Sequence, residues 1–198
     1  MMKWMEDNWA KAVPFLAVYM GILLFLFVFG QDLALFLIWI QMVVYLLHQT
    51  EEYLLPGGFM KFFNHKMLGS SEDAWPLTKR VSFLINVPVI FLAYPVTAVL
   101  ATFFGYSIGM WLMYFSIINA LSHVVMALRF REYNPGTVVS ACLNIPVGLY
   151  SVWFFAANGL VGMGAHIVGL IIALAVQGIV MVWGFRFMKP SVAERYGE

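Results

Sequence analysis

Residues 164–187 read GAHIVGLIIALAVQGIVMVWGFRF, an apolar run with no Asp, Glu, Lys or Arg before Arg186. A helix rises about 1.5 Å per residue, so roughly 20 such residues cross the hydrocarbon of a bilayer. A helix apolar on every face needs lipid or a large core around it, and this run reads as a membrane span. Working back from it, five more runs of the same kind occupy residues 12–30, 33–53, 81–104, 107–128 and 137–157. The whole chain is 63% hydrophobic and 11% charged, whereas a soluble domain carries about a quarter charged residues. The predicted fold is therefore all-α, a polytopic membrane bundle of six transmembrane helices forming one domain over residues 1–198. The net charge of +1 excludes the basic stripe that nucleic acid requires. Cys142 is the one cysteine, so neither a disulfide framework nor a cysteine metal cluster can form. The first run is long enough to span and lacks a small-residue cleavage site, so it is taken as a span rather than a leader.

The connections alternate in length, with short ones after the first, third and fifth runs and longer polar ones at 54–80 and 129–136. All eleven Lys and Arg residues lie on the side holding the N-terminus, the two longer loops and the C-terminus. The positive-inside rule puts that side in the cytoplasm. The expected location is the bacterial inner membrane, with both termini inside. The 54–80 loop mixes Phe59, Phe62 and Phe63 with Lys61 and Lys66, the pattern of an amphipathic segment in the interface, either a connector or a lid.

Two spans open alike. Val81-Ser82-Phe83-Leu84-Ile85-Asn86-Val87-Pro88-Val89 and Val139-Ser140-Ala141-Cys142-Leu143-Asn144-Ile145-Pro146-Val147 share V-S-x-x-x-N-[VI]-P-V, and the first span has Pro14 in a comparable place. The pattern suggests three parallel helical hairpins, each with a Pro-kinked first helix.

Ionisable groups inside spans are costly and face a bundle interior or cavity. His48-Gln49-Thr50-Glu51-Glu52 ends the second span. At about 100° per residue, Glu51 falls about 60° to one side of His48 and Glu52 about 40° to the other. One imidazole and two carboxylates on one face can hold a divalent cation, or hold it with two groups and move protons with the third. Asn119 and His123, at i and i+4 on the fourth span, fall at similar depth, as do Asn86 and Asn144. His48, Glu51, Glu52, Asn86, Asn119, His123 and Asn144 thus form one expected polar layer. Arg129 and Arg131 follow the His123 helix in a Pro135-Gly136 turn and could bind phosphate or carboxylate. His65, His166 and Asp32 are read as lying outside the site.

Three of these motifs together resemble a family of membrane proteins named for the HXXEE motif. Its signatures are H-x-x-E-E, N-A-x-x-H and R-x-Y-x-P-G. They stand here as His48 to Glu52, Asn119 to His123 and Arg131 to Gly136. The resemblance runs from the second span into the fifth. The family pattern ends in a Thr three residues after the Gly; this chain has Val139 there, with Thr137 nearer. The resemblance implies a site on these residues in a family of uncharacterised function for which enzymatic activity is suspected.

The resulting expectation is a metal-dependent intramembrane enzyme acting on a membrane lipid or amphiphilic small molecule. His48, His123, Glu51 and Glu52 are the expected ligands of a divalent metal ion. The carboxylates Glu51 and Glu52, with Asn119 and Arg131, are the expected catalytic groups. Zinc in such a shell predicts hydrolysis, and iron predicts oxidation. The rival is a transporter or binding protein using the same polar layer, for which six short spans would call for a homo-oligomer.

Overall fold

The computed structural model describes residues 1–196. Six helices are long and apolar enough to cross a membrane: α1 (Met2–Phe27), α2 (Leu33–Tyr53), α4 (Lys79–Phe104), α5 (Tyr106–Phe130), α6 (Thr137–Ala157) and α7 (Met163–Tyr196). A short α3 begins at Phe59–Phe62 and continues through π-type turns at Phe63–Leu68. The described residues contain no strand. The chain is an integral membrane protein of the all-helical bundle class. Two helices outrun their apolar stretches: α1 begins ten residues before residue 12, as helix starts at Met2, and α7 carries its helix on to Tyr196.

The helices alternate in direction, and ion pairs gather the polar segments at one end. Lys79 reaches Asp7 at 2.9 Å, Arg195 reaches Glu72 at 2.9 Å, and Lys66 pairs with Glu132. These contacts join the start of α1 to the start of α4, and the 54–78 connection to the α5–α6 turn and to the end of α7. At the opposite end Asp32 caps α2 by accepting from the Leu35 N–H at 2.8 Å and takes the Tyr106 hydroxyl at 2.7 Å.

Lipid inverts the usual account of what holds a bundle together. Apolar side chains gain little by leaving lipid tails for a protein interior, so close packing and hydrogen bonds between helices must do it. The central helix shows the consequence. α2 packs against α1, α4, α5 and α6, and it buries Gln41, His48, Gln49, Glu51 and Glu52 along with its aliphatics. Gln41 Nε2 donates to Ser151 Oγ of α6 at 3.0 Å, and Asn144 Nδ2 of α6 donates to Ser116 Oγ of α5 at 3.1 Å. Such bonds contribute roughly 0.6–2 kcal/mol each in a membrane. α6 crosses α5 at Gly148, where a Cβ would stand 2.6 Å from Ile117 Cγ1.

The two similar openings fold with a shared logic and one difference. Ser82 and Ser140 are both buried, and Asn86 and Asn144 both turn inward. Each helix is loosened near its proline, because Pro removes a backbone donor. The π-type turn follows the proline in α4, at Pro88–Ala93, and precedes Pro146 in α6, at Ser140–Asn144. α1 runs through Pro14 without a π-type turn.

The loop expected as an interfacial segment folds inward. Asn64 is fully buried, and its side chain binds the Leu77 N–H at 2.8 Å and the carbonyls of Leu77 and Asp73 at 3.0 Å each. That clamp turns the chain back on itself, and Phe59 and Phe63 are pressed against the bundle. Outside the spans, hydrogen bonding to Lys61 holds the Asp73 carboxyl below its ordinary range.

Candidate metal centre

His48 and Glu52 lie one turn apart on α2, so both side chains leave the helix on one face. His48 Nε2 stands 3.6 Å from Glu52 Oε1, and His123 Nε2 of α5 stands 3.2 Å from the same oxygen. All three residues are buried, at 0%, 4% and 2% exposure for His48, Glu52 and His123. The imidazoles are nearly perpendicular at 86°, with centroids 4.6 Å apart.

The far side of each group is anchored. His123 Nδ1 lies 3.1 Å from the Pro135 carbonyl. A carbonyl only accepts, so that contact calls for a proton on Nδ1 and leaves Nε2 free to ligate, whereas Asn134 Nδ2, 3.2 Å from the same nitrogen, would donate to it in the other tautomer. His48 Nδ1 lies 3.2 Å from Ser140 Oγ, a hydroxyl able to accept in the same way. Glu52 Oε2 accepts from Gln49 Nε2 at 2.8 Å, and Gln49 Nε2 also donates to Asn86 Oδ1 at 3.0 Å. Asn86 in turn donates to the Tyr53 hydroxyl at 3.0 Å. Outer partners of this kind fix the orientation of metal ligands.

One acceptor is left over. His48 Nε2 is buried with no hydrogen-bond partner among the described residues, a costly state unless something else occupies its lone pair. A tetrahedral ion with bonds of about 2.0–2.2 Å separates its ligands by about 3.3–3.6 Å. The 3.6 and 3.2 Å approaches fit that spacing, and one donor atom from each of the three residues lies within 4.8 Å of the others. The group could therefore hold a metal ion. Glu52 and His123 also border a cavity of about 80 Å³.

Gly136 explains the Pro-Gly turn physically. Its φ of +101° suits glycine, and a Cβ there would lie 2.7 Å from His48 Cε1 and 2.8 Å from His123 Nδ1. The backbone of the turn is the surface on which both imidazoles rest. Phe59 covers His123 from α3, with centroids 5.2 Å apart.

Glu51 is not with the other ligands. It turns to the opposite flank of α2, where its Oε1 accepts from the Val138 N–H at 3.0 Å and its Oε2 from the Val139 N–H at 2.6 Å. The Tyr133 hydroxyl adds a third bond at 2.6 Å. The two glutamates sit about 100° apart around the helix. Glu52 falls on the cavity side, and Glu51 meets the positive N-terminal end of α6. Burial first, and the Glu51 carboxylate second, push the Tyr133 hydroxyl above its ordinary range. The expectation of Glu51 as a ligand or base therefore gives way to a helix-capping role. Arg131 is likewise corrected: it is exposed, in a left-handed backbone conformation at the end of α5. Asn119 borders the cavity, with Nδ2 3.4 Å from Gln177 Oε1. Asn144 is tied to Ser116, outside the group. His65 pairs with Asp73, and His166 with Tyr114, both away from it.

Gln49, Ser140, the Pro135 carbonyl, Phe59 and Gln177 were not singled out as site residues by sequence reasoning. Gln49 and Ser140 stood inside quoted motifs. Gln177 had a usable signal, an amide in the middle of an apolar run.

A family model described as a protein of unknown function with HXXEE motif matches residues 39–151, more than half of the chain. No curated protein and no solved structure matches. The match begins in α2 and ends in α6, enclosing His48, Glu52, His123 and Gly136. The chain belongs to the HXXEE-motif family.

Proposed function

We propose that the protein is a metal-dependent intramembrane enzyme acting on a lipid or another amphiphile. The observation that carries this reading is the convergence of His48 Nε2, His123 Nε2 and Glu52 Oε1, with Glu52 and His123 on a cavity wall and the other side of each group already anchored. A structural histidine needs one satisfied ring and no open neighbour; two imidazoles aimed at one carboxylate suit an ion. Two His and one carboxylate leave coordination positions open on the cavity side, as catalytic sites require.

A divalent ion held there would acidify a water or polarise a substrate oxygen. Glu52 would supply the anionic ligand while Gln49 fixes its outer oxygen. Pro135 and Ser140 would keep both Nδ1 atoms engaged and both Nε2 atoms directed inward. Asn119, one turn from His123, would orient the substrate. Glu52 is the one carboxylate bordering the cavity among the described residues, so no second glutamate serves as a separate base. Zinc would favour hydrolysis and ferrous iron oxidation. The test is incubation of purified protein with a membrane lipid extract, with and without chelator, followed by mass spectrometry. A product that appears with metal and vanishes with chelator supports the enzyme. Tight reversible ion binding with every lipid unchanged would contradict it and favour a binding or transport protein.

We further propose that the end carrying all eleven Lys and Arg faces the cytoplasm. A reporter inserted between Asn158 and Met163 should then read extracytoplasmic, and one fused after Tyr196 cytoplasmic. The reverse pattern would overturn the orientation.

A further inference from the structure

The cavity beside Glu52 and His123 carries information about what it can hold. Its walls come from α2, α4, α5 and α7, with Phe59 and Phe63 of α3 closing one side. Glu52 and His123 are its charged or basic side chains; no Lys or Arg borders it, although the chain has eleven. With no ion in the group, a phosphate or carboxylate head would find no side-chain cation there and Glu52 would repel it, whereas a bound divalent ion would offset that repulsion.

Uncharged polar groups are present instead. Asn119 and Gln177 lie side by side on the wall, Asn119 Nδ2 donating to Gln177 Oε1 at 3.4 Å, and Asn119 Oδ1 is buried with no partner. Ser82 Oγ, also on the wall, is a second buried oxygen with no partner. Asn86 is not available, because its amide already serves Gln49, Tyr53 and the Ser82 carbonyl. An unpaired carbonyl oxygen in a membrane interior calls for a donor. The ligand should therefore bring an O–H or N–H, and in metal-free protein the cavity should favour a head without negative charge.

The route in follows from packing. Phe63, Leu77 and Met188, which line the cavity, belong to one apolar cluster with Leu68 and Val192, and that cluster would have to part to admit water or a ligand from that side. On the lipid side, α4 and α7 flank the cavity without an extensive packed seam between them among the described residues. Ile85 and Val89 of α4 and Val180 and Met181 of α7 border it and are only half-buried. Apolar, partly flexible side chains along a gap between two helices suit an alkyl chain. A volume of about 80 Å³ holds a small head while the chain lies between the helices.

We infer that the ligand is a long-chain amphiphile with an uncharged, hydrogen-bond-donating head, of the fatty alcohol or fatty amide type. It enters sideways from the hydrocarbon between α4 and α7. Its head meets Asn119 and Gln177 next to the His48–Glu52–His123 group, so the assignment rests on the enzyme reading for its chemistry but not for its binding.

The experiment uses the full chain in lipid nanodiscs, with and without chelator treatment, and a hexadecanol analogue bearing a photoreactive diazirine in mid-chain. Labelling should saturate and map to α4 and α7 near Ile85, Val180 and Met181. In chelator-treated protein, hexadecanol and hexadecanamide should displace the probe at least about tenfold better than hexadecanoate or hexadecyl phosphate, the ratio expected from one well-made hydrogen bond to a buried group. Asn119→Leu should lower saturable labelling by about tenfold, and Val180→Trp should block it while the metal content stays that of the wild type. Non-saturable labelling, equal displacement by the anions in chelator-treated protein, or full labelling in Val180→Trp would overturn the assignment. If the expected pattern appears in a wild-type protein that takes up none of zinc, ferrous iron or manganese, the ligand class stands and the enzyme reading fails.

Discussion

Glu52→Gln, His48→Ala and His123→Ala should each abolish metal retention, while Glu51→Gln should keep it. The contrast between adjacent glutamates is the sharpest consequence of the geometry. Glu52 Oε1 is the atom shared by both imidazoles, at 3.6 and 3.2 Å. Its neutral amide is a poor ligand and brings no compensating charge, so affinity should fall by more than the roughly 10–100-fold seen when only an outer partner is lost. Glu51 instead accepts two backbone N–H groups of α6 and the Tyr133 hydroxyl. Its replacement by Gln should cost about 1–2 kcal/mol of stability through a weaker helix cap. The check is metal per chain by mass spectrometry alongside a melting curve. Glu51→Gln should melt lower with metal retained, and Glu52→Gln should lose the metal. Equal metal loss in both would mean that Glu51 reaches the ion.

Gly136→Ala is expected to damage both stability and the site, although it adds a single methyl. The backbone at φ +101° disfavours a Cβ, and that Cβ would meet both imidazoles within 3 Å, at 2.7 and 2.8 Å. Left-handed strain and overpacking each cost about 1–3 kcal/mol. Together they should lower the melting temperature by on the order of 10 °C. Because His48 and His123 must both move away, metal affinity should fall at least about tenfold even in the fraction that folds. Gly159→Ala makes the control, since its Cβ would meet nothing within 4 Å although its φ is also positive, at +59°. A Gly136→Ala protein with wild-type metal content would show that the turn does not support the histidines.

Much of this was legible in the residues, for identifiable reasons. Spans announce themselves through apolar length, which is why hydropathy alone suffices to read six membrane helices. His48 and Glu52 are one turn apart on one helix, so their shared face follows from helical geometry alone. His123 needed the added argument of depth, and the structure brings it within reach of the same carboxylate oxygen. What local geometry could not decide was which glutamate faces the cavity. Both stand within about 60° of His48, and the choice is made by α6, whose N-terminal N–H groups take Glu51. The π-type turn at Ser140–Asn144 was likewise beyond periodicity, because an extra residue in a turn depends on tertiary contacts. That turn accompanies the contact of Ser140 with His48. The inward fold of α3 depends on the Asn64 clamp, a contact between residues 13 apart for Leu77, and amphipathic composition alone does not distinguish such a lid from a surface connector.

The measurement that bears most directly on the metal centre is the metal content of the wild-type protein, purified without chelator and then offered zinc, ferrous iron and manganese in turn. A site built from His48, Glu52 and His123 predicts about one tightly held divalent ion per chain, the occupancy of a single three-ligand site. It also predicts that this ion survives extensive dialysis in the wild type and is missing from His123→Ala. A wild-type protein that is folded in its membrane mimic and retains none of the three metals would contradict the account.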